Sequence, residues 1–353
     1  MGKVLIGCYS FSSNGNYGTN HTSVLHWLGG AVKALDDVRK TKLSELEKTN
    51  AFQAIFVAPE YMFTDPSSFK TRKAMDEGTK NTLLSGLEGI SNTYKETLIF
   101  PGTVFWKEPL SDEENLKKFQ AQLVAATLDK GKGSDVVKDN RFTDQGVKIP
   151  SLNEASQAIK TITWDKGKVT SVTPGSLGYR AYNELYPLLN GKRWSPYLKK
   201  WDFKETEGAN TTSETFIPGS SAGTKEIGGF DFGMEICFDH CNGALKAKNV
   251  TVDFHIVTSD SVDTVEGNMA MKDKGYFIHA SSDTNETCVY QKNGTTNTKL
   301  TPTPAIQSNN LSWWLVDVAQ KVATSTGIAS LPKAPILSPT GKKLPTGAVK
   351  VMI

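Results

Sequence analysis

The sequence predicts an α/β fold: a layered sandwich of two β-sheets flanked by helices. Three observations carry that expectation. Short apolar runs rich in β-formers recur along the chain, a helical apolar pattern separates the first two, and in the second half many strands follow one another with few helices between them. With 38% hydrophobic and 22% charged residues among 353, the chain has enough apolar content to bury a sizeable core.

"KVLIGCY" reads as a buried first strand, and the polar loop "SFSSNGNYGTN" follows it. From about Thr22 to Lys40, the residues Leu25, Leu28, Val32, Leu35 and Val38 recur at spacings of three and four, an amphipathic helix. "AFQAIFVAPEYMF" is a second buried strand stopped by Pro59. A helical segment near 79–94 precedes "ETLIFPGTVFW", a strand pair.

Residues 107 to about 176 break this rhythm. "DEENLKKFQAQLVAATL" reads as helix, "DKGKGSD" as linker, and "SLNEASQAIKTI" opens with a capping-box pattern. Their apolar content is too sparse for an independent core, so the region is an insertion within one domain spanning 1–325. "YNELYPLLNGKRWSPYLKKWDF" then reads as two strands joined at "NGK", a turn signal. "GGFDFGMEIC", "TVDFHIVTSD", "GYFIHASSD", "CVYQ" and "NLSWWLVDV" continue the strand series, with Gly228–Gly229 as a hairpin turn. Trp313 and Trp314 alternate in the last strand, so at most one is expected to face the core. Residues 326–353, with Pro332, Pro335, Pro339 and Pro345, read as an extended tail.

Several function classes are excluded at this level. The net charge of +3 comes from scattered lysines, which lacks the footprint of a nucleic-acid binder. No P-loop or dinucleotide fingerprint occurs, and no cofactor is expected. "MGKVLIGCYS" lacks a basic region followed by a long apolar run, and no stretch is long enough to cross a bilayer. Four cysteines, Cys8, Cys237, Cys241 and Cys288, are sparse for so long a chain and fit reduced thiols; a cytoplasmic location without membrane contact is expected.

Three strand ends carry chemistry. Cys237 follows the buried run "FGMEI", where loops open toward ligands in α/β folds and a thiol is placed to act as a nucleophile. Glu60 ends the run "VAPE", and a carboxylate there needs a partner. "YLKKWDF" puts Lys199 and Lys200 after a third β-like run, where alternation turns one inward. A carboxylate beside a thiol can accept its proton, and an ammonium favours the thiolate and can stabilise an oxyanion. Cys237, His240 and Cys241 could be read as metal ligands, but no second Cys/His pair lies at zinc-site spacing, so no metal is expected. His240 and Cys241 then serve packing, Asp239 a hydrogen bond at the turn, and His279 a satisfied place in the core.

In this order, "APE" at Glu60, "YLK" at Lys199 and "ICFD" at Cys237 resemble the nitrilase superfamily of carbon–nitrogen hydrolases. "PGTVF", "YNELYPLLNG", "SETFIPG", "DFHIVTSD" and "AMKDKGYFIHASSD" extend the resemblance over roughly residues 3–320. It implies an αββα sandwich of two mixed sheets and assembly as a homodimer or higher homo-oligomer. It also implies a catalytic triad of Glu60, Lys199 and Cys237, with the Phe238 backbone N–H as a second oxyanion donor. Many members carry a further glutamate past the lysine; Glu205 and Glu207 both qualify, and Glu207 is taken. Tyr61, Phe63, Trp201, Phe238, Ser259 and Asp260 would line the pocket.

This chain departs from the pattern in three places. Trp201 stands where a His often follows the Lys, "HCNGALK" follows "CFD", and the insertion is long. The implied reaction is thiol-dependent hydrolysis of a small-molecule amide, Phe238–Asp239 looking more like amidases than nitrilases. Nitrile or carbamoyl hydrolysis and acyl transfer on the same fold are the alternatives, and a non-catalytic binding protein or effector is the alternative from another class.

Overall fold

The computed structural model describes residues 2–11, 19–66, 72–109, 159–165, 168–174, 179–201, 214–306 and 310–318. The described residues all fall within one compact unit that ends at Ala323. The helix expected near 112–128, Glu205, Glu207 and the tail expected at 326–353 lie outside the described residues.

In chain order the elements are β1 (Gly2–Tyr9), α1 (His21–Thr41), β2 (Ala54–Val57), β3 (Met75–Asp76), α2 (Glu77–Thr93), β4 (Thr97–Phe100) and β5 (Thr103–Pro109). Next come β6 (Ile159–Asp165), β7 (Lys168–Pro174), β8 (Tyr179–Leu185), β9 (Leu188–Leu189), β10 (Lys192–Arg193), β11 (Tyr197–Leu198) and β12 (Glu214–Phe216). The last group is β13 (Thr224–Ile227), β14 (Phe230–Ile236), α3 (Phe238–Cys241), β15 (Val252–Ser259), β16 (Met271–Ser281), β17 (Cys288–Asn293), β18 (Thr296–Lys299), β19 (Thr303–Ile306) and β20 (Leu311–Val318).

Two mixed sheets make the sandwich. One runs β10-β9-β4-β2-β1-β20-β19 and the other β13-β14-β15-β16-β17-β18. Within them β1, β2 and β4 are parallel, as are β14, β15 and β16. Val4, Ile6, Ile55, Val57, Trp314 and Val316 of the first sheet share one buried cluster with Phe232, Met234, Phe254, Ile256 and Ile278 of the second. On the other face of the first sheet, Leu5, Phe56 and Trp313 pack with Val24, Leu28, Val32 and Leu35 of α1 and Leu83, Leu84 and Leu87 of α2. Each such side chain contributes roughly 1.5–3 kcal/mol on burial. Strands covered on both faces must be apolar throughout, which is why "VLIGCY" shows no alternation. The same cover buries both Trp313 and Trp314, one on each face, which corrects the expectation that at most one would be inside.

The helical layers are unequal. α1 and α2 cover the first sheet, while among the described residues the outer face of the second carries α3 and 3₁₀ turns. Both long helices are capped by side chains their sequences supply: Asn20 accepts from the Thr22 N–H and Asp76 from the Thr79 N–H.

β4 and β5 do not form one pair, as the sequence suggested. The chain bends at Pro101–Gly102, and β5 joins a separate sheet ordered β11-β8-β5-β3, with β12 beside β8. The antiparallel partner bends in step, since β9 pairs β4 and β8 pairs β5. Gly102 adopts φ 82, and a Cβ there would lie 2.1 Å from the Pro59 carbonyl, so the bend requires glycine. Within the insertion, β6 and β7 pair as a hairpin, so Ile159–Ile162 are strand where the capping-box pattern had suggested helix. β-branched residues at alternate positions in "IKTITWD" outweigh the local cap signal. The turns expected at Asn190–Gly191 and at Gly228–Gly229 do join β9 to β10 and β13 to β14, with positive φ at all four residues.

Candidate active site

The carboxyl ends of β2 and β14 lie on different sheets, and a third segment from beyond β11 closes on both. After β2 the chain runs Ala58–Pro59–Glu60, and the Glu60 N–H donates to the Ser259 carbonyl at the end of β15 (3.2 Å). The next residues are laid against β5: the Tyr61 N–H donates to Thr103 Oγ1 (2.9 Å) and the Phe63 N–H to the Thr103 carbonyl (3.2 Å). β11 stops at Leu198, and the Lys199 N–H donates to the Asn183 carbonyl of β8 (2.9 Å) while its own carbonyl accepts from Gly219. Lys199 is thereby turned inward, 1% exposed, and Lys200 stays half-buried.

These segments bring three predicted residues together. Glu60 is fully buried, and its Oε1 accepts from Lys199 Nζ (2.9 Å) and from Asn183 Nδ2 (2.8 Å). The Cys237 thiol, 4% exposed, lies within electrostatic reach of the Glu60 carboxylate, the Lys199 ammonium and the Asp260 backbone N–H. Cys237 itself adopts φ 50 and ψ −108. That combination is normally glycine's, and it costs about 1–3 kcal/mol unless surrounding contacts impose it. They do: the Cys237 N–H donates to the Thr258 carbonyl (2.8 Å), and the Cys237 carbonyl accepts from His240 as α3 begins (2.9 Å).

Burial, and then the Glu60 charge, push the Cys237 thiol well above its ordinary value, and Lys199 pulls it back only in part. Raised in this way, the sulfur is a neutral thiol and not the preformed thiolate that a neighbouring ammonium alone would suggest. Any attack by this sulfur would need its proton to pass to a neighbouring base, and Glu60 is the carboxylate beside it.

The other expected site residues fall in different places. The Tyr61 ring lies 5.8 Å from Lys199 Nζ and carries the Arg72 guanidinium at 4.6 Å. Phe63 is buried. Phe238, half-buried, opens α3. Trp201 is 38% exposed and donates its backbone N–H to Asp239 (3.0 Å). Ser259 is fully buried; its Oγ pairs with His279 (2.7 Å), and its carbonyl holds Glu60. Asn183 carried no role in the sequence reading, and its side chain completes the Glu60 contacts.

Asp239 does more than close its own turn. It is fully buried and accepts from the Tyr197 hydroxyl (2.7 Å) and from the backbone N–H groups of Lys200 (3.0 Å) and Trp201 (3.0 Å). Burial raises its carboxyl to about 7, against the pull of these donors. His279 sits in the core between Ser259 and Thr264, and burial lowers it to about 3.

Glu235, His240 and His255 form the one group of potential metal ligands among the described residues. Glu235 Oε2 contacts His240 Nδ1 (2.8 Å) and His255 Nε2 (2.9 Å), while Oε1 accepts the Leu245 N–H (2.7 Å). The far ring nitrogens accept backbone N–H groups, His240 Nε2 from Val265 and His255 Nδ1 from Ala270, each at 3.2 Å. Their lone pairs are thus committed outward, and the atoms facing Glu235 are N–H donors. A cation at the centre would need both rings to place an N–H against another N–H. The donor set fits a closed hydrogen-bond network and does not fit a metal. Although burial raises the Glu235 pKa, His255 and His240 outweigh it and hold the carboxyl at about 2.

No protein-family model matches the chain, and no curated protein matches it. Solved structures do resemble it. Nit3 of Saccharomyces cerevisiae, a member of branch 10 of the nitrilase superfamily, is 13% identical, with 90% of each chain covered and a TM-score of 0.43. A CN-hydrolase superfamily protein of Xanthomonas campestris, with an arsenic adduct in its active site, is 10% identical, covering 90% of this chain and 91% of its own at a TM-score of 0.44. A nitrilase-superfamily amidase of Nesterenkonia is 10% identical, covering 89% of this chain and 90% of its own at 0.40. At TM-scores below 0.5 these likenesses carry no argument about activity, which rests on the chain's own geometry.

Proposed function

We propose that the protein is a thiol hydrolase of nitrilase-superfamily type that cleaves the carbon–nitrogen bond of a small amide. One observation carries the reading: Glu60, Lys199 and Cys237, from three separate segments, converge in a buried cluster, with the Lys199 ammonium 2.9 Å from the Glu60 carboxylate and the Cys237 thiol in the electrostatic reach of both. A packing role does not explain the Glu60–Lys199 pair, since two well-packed apolar side chains of similar volume would often serve a core as well.

Cys237 Sγ attacks the amide carbon as its proton passes to Glu60. The carbonyl oxygen takes the negative charge and is met by Lys199 Nζ and the Phe238 backbone N–H. Glu60 then returns the proton to the nitrogen, the carbon–nitrogen bond breaks, ammonia or an amine leaves, and a thioester remains. Water attacks the thioester with Glu60 as base, releasing the acid and restoring the thiol. Asn183 holds Glu60 in the orientation both proton transfers need.

Intact-protein mass spectrometry after incubation with a panel of amides and nitriles tests this. An acyl adduct on Cys237, absent in Cys237→Ala, is expected. Adducts confined to Cys241, or turnover that survives Cys237→Ala, would overturn it.

A further inference from the structure

The nucleophile and the lysine approach each other where no sheet pairing sets their spacing. β14 ends at Ile236 and pairs with β13 and β15, whereas β11 ends at Leu198 and pairs with β8. Across that gap lies Asp239, two residues past Cys237. Its carboxylate accepts from Tyr197, Lys200 and Trp201, residues that bracket Lys199 on both sides.

We infer that Asp239 is a positioning residue that fixes the nucleophile turn in register with the catalytic lysine. This rests on the hydrolase reading above and assigns the side chain that holds its two halves together. The contacts close a ring. Cys237 leads through α3 to Asp239, across hydrogen bonds to the segment 197–201, through Lys199 Nζ to Glu60, and from Glu60 back to the thiol. Every other link of that ring is a reacting group or the chain itself. A carboxylate is an expensive choice for simple packing at full burial, where a well-shaped apolar side chain costs less. What it supplies is two acceptor oxygens able to hold three donors at once. A misplacement of about 1 Å at a reacting group can cost about 100-fold in rate.

The test compares Asp239→Ala and Asp239→Asn with wild type in steady-state amide hydrolysis and in the rate of Cys237 alkylation by iodoacetamide, read by peptide mass spectrometry. Folding is checked by circular dichroism. Asp239→Ala is expected to lower kcat by about 100-fold with KM changed less than about 3-fold, and to slow alkylation in parallel. Asp239→Asn should recover to within about 10-fold of wild type, because its carboxamide oxygen still accepts the Lys200 and Trp201 N–H groups. A folded Asp239→Ala variant with wild-type kcat and alkylation overturns the inference. So does an Asn variant no better than Ala, which would make the charge and not the acceptor geometry responsible. If Asp239→Ala does not fold, Asp239→Asn decides alone: a kcat within about 10-fold of wild type supports the inference, and a loss of about 100-fold in the folded Asn variant overturns it. If wild-type Cys237 is neither acylated by any amide nor alkylated faster than Cys8, Cys241 and Cys288, the hydrolase reading itself has failed and takes this inference with it. A reactive wild-type Cys237 beside an equally reactive Asp239→Ala isolates failure of the inference.

Discussion

Replacing Lys199 by alanine removes an ammonium that is 1% exposed and 2.9 Å from Glu60. We predict two separable losses. The first is in stability. Glu60 would stay fully buried without its cation, and breaking a buried pair from one side costs about 3–5 kcal/mol. The second is kinetic. Lys199 meets the oxyanion only as charge develops, so its loss should lower kcat by about 100- to 1000-fold with a smaller effect on KM. Lys199→Met retains the aliphatic stem and should show the same kinetic loss with less disturbance of packing. Lys199→Arg should also fail, because a planar guanidinium does not fit a fully enclosed site that receives a point charge. Lys200→Ala should stay near wild type: its contact with Asp239 is made by the backbone N–H, which survives, and its side chain is half-buried. The assay is kcat and KM per folded molecule on whichever amide acylates Cys237, with urea denaturation run on the same preparations. A crippled Lys200→Ala beside an active Lys199→Ala would refute the reasoning and move the role one residue along. A folded Lys199→Ala within about 10-fold of wild type would remove the oxyanion role altogether.

Three further outcomes are expected. Cys237→Ala should abolish hydrolysis with an unchanged circular dichroism spectrum, whereas Cys241→Ala, at the end of α3, should retain most activity; the reverse pattern would misassign the nucleophile. Glu235→Ala strands the N–H donors of His240, His255 and Leu245 in a buried space, each at about 1–3 kcal/mol, and a urea midpoint close to wild type would show the network is dispensable. Stability should fall on acidification from pH 6.5: unfolded imidazoles bind protons there that His279, lowered by burial to about 3, and His240, also lowered by burial, refuse. Asp239 is raised to about 7, so its contribution has the opposite sign and offsets one histidine between its ordinary 3.8 and 7. His279 and Asp239 then nearly cancel, and the net fall comes from His240, whose imidazole burial lowers. A flat urea midpoint from pH 6.5 to 4.5 would show that the buried histidines take up protons without unfolding.

How much of this was legible in the sequence depends on the range of the interaction. α1 was readable because its apolar spacing follows a local period, and the structure gives His21–Thr41 where the pattern placed Thr22–Lys40. Glu60 and Cys237 were readable because each breaks an apolar run at its end, which packing does not explain. Lys199 was separated from Lys200 by the motif around it, and the structure orients it by backbone hydrogen bonds after β11 has ended, where strand alternation no longer applies. Asn183 was not legible: it belongs to an ordinary strand, and its meaning comes from a residue 123 positions away. The Glu235–His255 contact joins neighbouring strands whose register only the folded sheet reveals. The division of β4 and β5 between sheets turns on Gly102 meeting the Pro59 carbonyl, a contact between loops that no single window contains.

The strained conformation of Cys237 ties these levels together. A non-glycine residue at φ 50 and ψ −108 costs about 1–3 kcal/mol, and no preference of the local sequence repays it. The hydrogen bonds that impose it come from Thr258 on the next strand and from α3 behind it, and α3 is anchored in turn by Asp239 on one side and by His240 with Glu235 on the other. Two buried carboxylates therefore flank the nucleophile turn, and a third, Glu60, is the one whose charge acts on the thiol itself. Their partners differ in kind: Asp239 is held by a hydroxyl and two backbone donors, Glu235 by two imidazole nitrogens and a backbone donor, and Glu60 by an ammonium and an amide. Of the three, Glu60 is the one paired with a lysine ammonium and placed beside the thiol. That difference in partners, more than burial, is what supports the proposal that Glu60 is the base and that the other two carboxylates hold the turn.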